Sequence, residues 1–483
     1  MMNLIRSNQK AVALISGIIL FSFFVLFNPL GLDPKAKLVL ATAVLIISWW
    51  ILEAMPLAVV ALVPIVLFPL LGISPIKEVS KSYADSIIFL FMGGFFIGIA
   101  IEKWDLHKRI ALNIINLTGT NGNKIILGFI LSTGFLSMWL SNTATAMMMA
   151  TIATPVIAVI ASHNKENTGV KNFSLVLMLC IAYASNFGGI ATIIGTPPNV
   201  AFVNHISEKF GYNIGFVSWM TIFTPLAIAL LLSLYFVLTK WLFPNNIKHG
   251  EEGRSYIKHE LKNLGKINIS EKRILFVFSA TVFLWITKDI LNSLQHTIKL
   301  DDTIIALAGA ISLFIIPSGK ENERLLEWKD TNKMAWGILL LFGGGIAVAT
   351  ALENAKLMIQ LGAYIASFAS SNIFIMILIV TTISVFLSEV MSNIAQVIVM
   401  APVISAVAIA LHIDPLLLGV PMTLGASCAS MLPMGTPPNA IVFASGHIKL
   451  KDMLKAGFVL NIVCIIFITI FCWLLLPLVM AVK

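Results

Sequence analysis

Charge is scarce in this sequence: Asp, Glu, Lys and Arg make up 11% of its 483 residues, where soluble proteins carry about 25%. With 58% of residues hydrophobic, the chain has too little polar surface to cover a globule, which excludes a secreted domain and a peripheral enzyme. Cysteine is scarce as well. Cys180, Cys428, Cys464 and Cys472 lie in apolar segments without paired spacing, so neither a disulfide framework nor a zinc site is supported. The eight histidines are scattered without metal spacing. No nucleophile–base or metal-hydrolase signature is present, which argues against an enzyme.

What the sequence has in abundance is long charge-free runs. Residues 11–32, 54–76, 210–239 and 456–482 are each close to one membrane crossing, and 125–164 and 172–207 are far too long for one. The fold class is therefore an all-α polytopic membrane protein. The net charge of +9 is a matter of placement, not of nucleic acid: eleven charges fall between Pro244 and Arg273, which reads as a solvated linker without a nucleic-acid-binding motif. Arg6 and Lys10 precede an apolar run too long for a signal peptide, so a retained first helix is expected.

The chain repeats itself. Phe91-Met92-Gly93-Gly94 matches Phe342-Gly343-Gly344-Gly345 at an offset of 251, and the same offset places Glu102 on Glu353 and Ser141-Asn142-Thr143 on Ser392-Asn393-Ile394. Gly195-Thr196-Pro197-Pro198-Asn199 recurs as Gly435-Thr436-Pro437-Pro438-Asn439 at an offset of 240. Two halves follow, 1–243 and 274–483, joined by the linker 244–273. The first half holds a hairpin near 125–160 and a broken helix near 195–199; the second holds a hairpin near 373–411 and a broken helix near 435–439.

The hairpins follow from length. Ile125 to Leu140 is 16 residues, about 24 Å as helix, short of a hydrocarbon core of roughly 30 Å. A polar triplet and a second apolar stretch come next with no charged loop between, so the tip stops inside the membrane, where irregular backbone needs protein or a water-filled cavity around it. Paired prolines break the other two segments, because Pro lacks a donor and forces extended backbone before it. The glycine-rich 91–94 and 342–345 segments read as helix packing, and Trp104–Gly119 and Asn354–Ala369 as interfacial helices.

Eleven crossings, at 11–30, 38–52, 57–73, 84–101, 174–204, 219–239, 274–287, 303–317, 335–352, 415–446 and 456–480, with a cytoplasmic N-terminus, place 23 of the 32 Lys/Arg inside, as the positive-inside rule favours. The C-terminus is then extracytoplasmic and the two hairpins enter from opposite faces, the arrangement of inverted repeats.

The motifs offer hydroxyls, carboxamides and exposed backbone but no fixed cation. Half-helix N-termini suit a carboxylate, and unwound carbonyls suit a small cation. An anion in a low-dielectric cavity needs compensation, and a co-bound cation supplies it.

These paired motifs, with the run Ser137-Met138-Trp139-Leu140-Ser141-Asn142-Thr143, resemble the divalent anion:sodium symporters, which carry dicarboxylates, citrate or sulfate. The resemblance covers nearly the whole chain. It implies an elevator-type secondary transporter in the inner or plasma membrane, usually a homodimer, with scaffold and transport domains and sodium as coupling ion. It also implies a first sodium site at Ser137, Ser141, Asn142 and Gly195, and a second at Ser388, Met391, Asn393 and Gly435. Substrate carboxylates are expected at Asn142, Thr143, Ser392, Asn393, Thr436 and Pro437. A small dicarboxylate such as succinate, malate or fumarate is the leading substrate class. A sodium-independent dicarboxylate exchanger and a citrate or sulfate carrier are the alternatives.

One position departs from the family pattern. Ile394 stands where the first triplet has Thr143, so it cannot donate to a carboxylate and adds apolar bulk. Glu389, within the second hairpin, is a functional candidate by default because ionisable groups are costly in a membrane. A proton-carrying, pairing or water-facing role is open to it.

Overall fold

The computed structural model describes the chain except residues 1, 30, 120, 164–167, 213, 246, 248–250, 296, 368–371 and 480–483. Lys165 and Lys248, counted above among the cytoplasmic cations, and Phe368 and Ala369 of the second interfacial segment lie outside the described residues.

Among the described residues the regular structure is helical. The first half begins with α1 (Met2–Phe27), α2 (Pro34–Ile51), α3 (Leu57–Val60), α4 (Val63–Leu70), α5 (Ile76–Lys81) and α6 (Ser86–Lys103). It continues through α7 (Leu106–Thr118), α8 (Gly122–Ser137), α9 (Asn142–His163), α10 (Thr168–Gly189), α11 (Pro197–Phe210) and α12 (Phe216–Phe236). After the linker helix α13 (Glu251–Asn263) come α14 (Ile269–Leu294), α15 (Asp302–Ile315), α16 (Trp336–Asn354), α17 (Leu357–Ala366) and α18 (Ile373–Leu387). The chain ends in α19 (Asn393–Ala410), α20 (Pro415–Ala426), α21 (Pro437–Ala444) and α22 (Leu450–Val479).

Among the described residues, ten helical stretches are long and apolar enough to cross a membrane, and five apolar ones are shorter. This set differs from the eleven crossings read from sequence. The hairpin arms α9 and α19 qualify by length, whereas the crossings at 57–73, 303–317 and 415–446 are built from shorter pieces. α9, at 22 residues, extends about 33 Å, much farther than the 16-residue α8 that precedes it.

Several local backbone features recur 251 residues apart. Asp105 and Lys356, 251 apart, both adopt φ 56° and turn the chain into α7 and α17. Asn121 caps α8 by accepting from Lys124 N, and Asn372 caps α18 by accepting from Ile375 N at the same offset. A side-chain cap satisfies a donor the helix cannot. The repeated glycines seat helices closely. A Cβ at Gly93 would meet the Ala306 backbone at 2.7 Å, and one at its counterpart Gly344 would meet Ala61 O at 2.5 Å. Only glycine permits these approaches of α6 to α15 and of α16 to α3, the dispersion-driven packing expected where lipid gives helices no hydrophobic reason to associate.

The linker is more ordered than its charge implied. α13 packs on α7 and α9 with Ile257 buried, and its Glu260 pairs with Lys108 at 3.1 Å. Just beyond it, Arg109 grips Glu271 through Nε and Nη2 at 2.9 and 3.1 Å. One apolar stripe and the Lys108–Glu260 pair dock a helix whose composition alone resembles a solvated loop, and the Arg109–Glu271 pair ties α7 to the start of α14.

Candidate functional site

Four helices begin at one place. α9 starts at Asn142, α19 at Asn393, α11 at Pro197 and α21 at Pro437, and all four residues line a single cavity of about 610 Å³. Each helix N-terminus turns the positive end of its dipole to the cavity; α9 and α19 add first-turn N–H groups, whereas α11 and α21 open on two prolines that have none. Four together set a positive field on the cavity although its described lining has no cationic side chain. Glu53 is the one ionisable residue in the described lining.

The two broken helices reach the cavity by the same local device. Thr196 and Thr436 both sit at φ −142° in extended backbone, as a residue before proline must, and each proline then starts a helix where its missing N–H costs nothing. The following asparagines staple the unwound loops. Asn199 Nδ2 donates to Thr192 O at 2.9 Å and Gly189 O at 3.3 Å. Asn439 Nδ2 donates to the equivalent Leu432 O at 3.1 Å and Ala429 O at 3.2 Å.

All six residues expected to hold substrate carboxylates, Asn142, Thr143, Ser392, Asn393, Thr436 and Pro437, line this cavity. Ile394 lines it too, beside Val390 and Met434. At the first hairpin tip, Ser137 Oγ donates to Ser185 O at 2.7 Å and lies 2.6 Å from the Asn142 carboxamide. The Asn142 atom facing it is also 3.1 Å from Ser185 O and 3.2 Å from Gly195 O. As nitrogen, that atom donates to its neighbours; as oxygen, it completes a ring of four oxygens that repel one another unless a cation lies among them. Ser137, Asn142 and Gly195 thus meet at the first tip. Ser141 Oγ instead accepts from Ala144 N at 3.3 Å, capping α9.

The second tip is built differently. Met391, Asn393 and Gly435 line the cavity, and Asn393 Oδ1 is buried without a hydrogen-bond partner, an acceptor available to a cation. Ser388 is buried with its hydroxyl turned back to Val385 O at 2.9 Å, so it does not reproduce the Ser137–Asn142 contact. Glu389 supplies the order here. Its Oε1 accepts from Ser430 N at 2.7 Å, Met431 N at 2.9 Å and Asn461 Nδ2 at 2.8 Å, and its Oε2 from Leu432 N at 3.0 Å. Four donors use the acceptor capacity of a carboxylate, and they hold the unwound segment that leads into Gly435.

Two residues not singled out from sequence join these parts. Thr192 Oγ1 donates to Met138 O at 2.6 Å and accepts from Gly195 N at 2.9 Å, tying the first tip to the first broken helix. Asn186 lines the cavity, lies 3.5 Å from Asn142 Nδ2 through its Oδ1, and donates to Thr436 Oγ1 of the other repeat at 3.2 Å. Its signal was a carboxamide in the middle of a charge-free run, at the end of Tyr183-Ala184-Ser185-Asn186.

A vestibule of about 920 Å³ bordered by α6, α7, α9 and α13 shares Ser141, Thr143 and Ile338 with the cavity. A separate cleft of about 240 Å³ lies between α11, α16 and α19, near Glu353 and Lys209. Glu102 borders the vestibule and its repeat partner Glu353 borders the cleft.

Comparison with known proteins gives a consistent picture. The family profile described as the sodium:sulfate symporter transmembrane region matches residues 7–481. The sodium-dependent dicarboxylate transporter SdcS of Staphylococcus saprophyticus subsp. saprophyticus is 38% identical over 480 residues, 97% of this chain and 92% of the relative. The protein of the same name from Staphylococcus aureus strain USA300 is 39% identical over 483 residues, 99% of this chain and 93% of the relative.

Proposed function

The chain belongs to the divalent anion:sodium symporter family, and from that premise we propose that it is a secondary transporter, not an enzyme, that moves a small dicarboxylate of the succinate, malate or fumarate type together with sodium. The observation that carries this reading is the single cavity into which both Ser-Asn tips and both Thr-Pro-Pro-Asn loops project at four helix N-termini. Helix dipoles and carboxamide donors hold the two carboxylates. The oxygen cluster around Ser137, Asn142 and Gly195 and the unpartnered Asn393 Oδ1 take the cations, with Ser141, Ser388, Met391 and Gly435 completing the two sets.

The cavity's shared wall with the vestibule, and the cleft at the repeat-related place, support alternating access. The hairpins, α10–α12 and α20–α22 form the moving body, and α1–α6 with α14–α16 form the scaffold of a homodimer. The repeats 1–243 and 274–483 are inverted, the N-terminus is cytoplasmic, the C-terminus is extracytoplasmic and the membrane is the plasma membrane; the distribution of Lys and Arg supports this orientation.

Uptake of labelled succinate into proteoliposomes, with and without an inward sodium gradient, tests the coupling. Sodium-driven accumulation is expected. Uptake indifferent to sodium but dependent on internal dicarboxylate would replace symport with exchange. Asn142→Ala and Asn393→Ala should each lower the rate at least tenfold, and full activity in either would refute the site.

A further inference from the structure

The Asn142–Asn186–Thr436 line joins the first cation cluster to a substrate hydroxyl of the opposite repeat, and a carboxamide can be read in only two directions. In one, Asn142 turns Oδ1 into the ring formed with Ser137 Oγ, Ser185 O and Gly195 O. Its Nδ2 then faces Asn186 Oδ1 at 3.5 Å, the longest link, and Asn186 Nδ2 donates to Thr436 Oγ1 at 3.2 Å. Thr436 Oγ1 is thereby an acceptor, and its proton is free to point into the cavity. In the other direction Asn142 donates to Ser185 O and Gly195 O and offers its oxygen to Asn186. A turned Asn186 then presents its own oxygen to Thr436, and the Thr436 proton is consumed inside the protein.

We propose that Asn186 is a positioning residue that makes the substrate site conditional on the first cation: with a cation among the four oxygens, Asn142 is held in the first direction, Asn186 follows, and the Thr436 hydroxyl is aimed at the substrate carboxylate. Without that cation, four facing oxygens are unfavourable, the line runs the other way, and the cavity loses a donor. The inference rests on the sodium-coupled dicarboxylate reading above and explains how that coupling is transmitted across the repeats. The device is asymmetric. The repeat counterpart of Asn186, at the offset of 240 that relates the broken helices, is Ala426, so the second tip has no such line to Thr196.

Direct binding separates the relay from transport itself. Succinate affinity is measured by calorimetry on purified protein in saturating sodium and in sodium-free choline buffer, and sodium affinity without succinate is read from thermal stabilisation. The wild-type protein should bind succinate much more tightly in sodium. Asn186→Leu, close in volume but unable to relay, should shrink that sodium-induced gain at least tenfold while sodium affinity alone changes by less than about threefold, a split that a merely structural role would not produce. Asn186→Asp, which accepts from both sides and so fixes Thr436 inward, should lose the same gain; it covers the case in which the leucine variant does not fold. Thr436→Ser, which keeps the hydroxyl, should retain it. An unchanged sodium-induced gain in Asn186→Leu or Asn186→Asp overturns the relay while leaving sodium coupling intact. A wild-type protein whose succinate affinity ignores sodium overturns both.

Discussion

Phe91 and Phe342, equivalent positions of the two repeats, meet edge to face with ring centroids 5.3 Å apart and planes at 77°. The contact lies between α6 and α16, where the two glycine-rich segments meet, and the neighbouring glycines serve the closeness of that region. Gly344→Leu should therefore open the α16–α3 contact. Overpacking costs typically about 1–3 kcal/mol, and the thermal midpoint in detergent should fall by several degrees. An unshifted midpoint would mean that the Ala61 contact is not tight.

Glu389 is expected to act through the loop it holds. Glu389→Gln replaces one acceptor oxygen by an amide NH2 that faces backbone N–H groups, and each buried donor left unpaired costs about 1–3 kcal/mol. The variant should melt earlier and bind the second sodium more weakly, seen as a less steep dependence of uptake on sodium. A glutamine variant with wild-type stability and sodium steepness would mean that the carboxylate is not what orders this loop.

How far these parts were legible in the sequence depended on whether they were duplicated. The tips and the Thr-Pro-Pro-Asn loops are written twice, so comparison of the halves exposes them, and the caps at Asn121 and Asn372 follow the same offset. Asn186 escaped because its counterpart is alanine. The role of Glu389 escaped because its partners Ser430, Met431 and Leu432 offer only backbone N–H groups, which carry no side-chain signature. The docking of α13 turned on a single apolar stripe set among charges.

Ile394 makes the two tips chemically unequal, since its counterpart in the first triplet, Thr143, brings a hydroxyl to the same cavity. Ile394→Thr should restore a donor. A hydrogen bond to a charged group contributes about 1.5–3 kcal/mol, so the succinate KM should fall by about tenfold or more, measured as initial uptake at fixed saturating sodium. An unchanged KM would show that the substrate does not reach this wall.

Alternating access predicts that α11 and α16 part during transport, because α11 falls in the proposed moving body and α16 in the proposed scaffold. Lys209 on α11 and Glu353 on α16 approach to 3.6 Å, and Glu353 is the repeat partner of the vestibule residue Glu102. A double variant, Lys209→Cys with Glu353→Cys, places a thiol pair on either side of the cleft. The four natural cysteines are all buried, so a short bis-maleimide applied to membranes should react mainly with the new pair. If the bodies must slide, the linked protein should retain succinate binding but lose uptake, and each single-cysteine variant treated alike should keep it. A linked double variant that still accumulates succinate would mean that α11 and α16 move as one, and the moving body would then have to be redrawn to leave α11 with the scaffold.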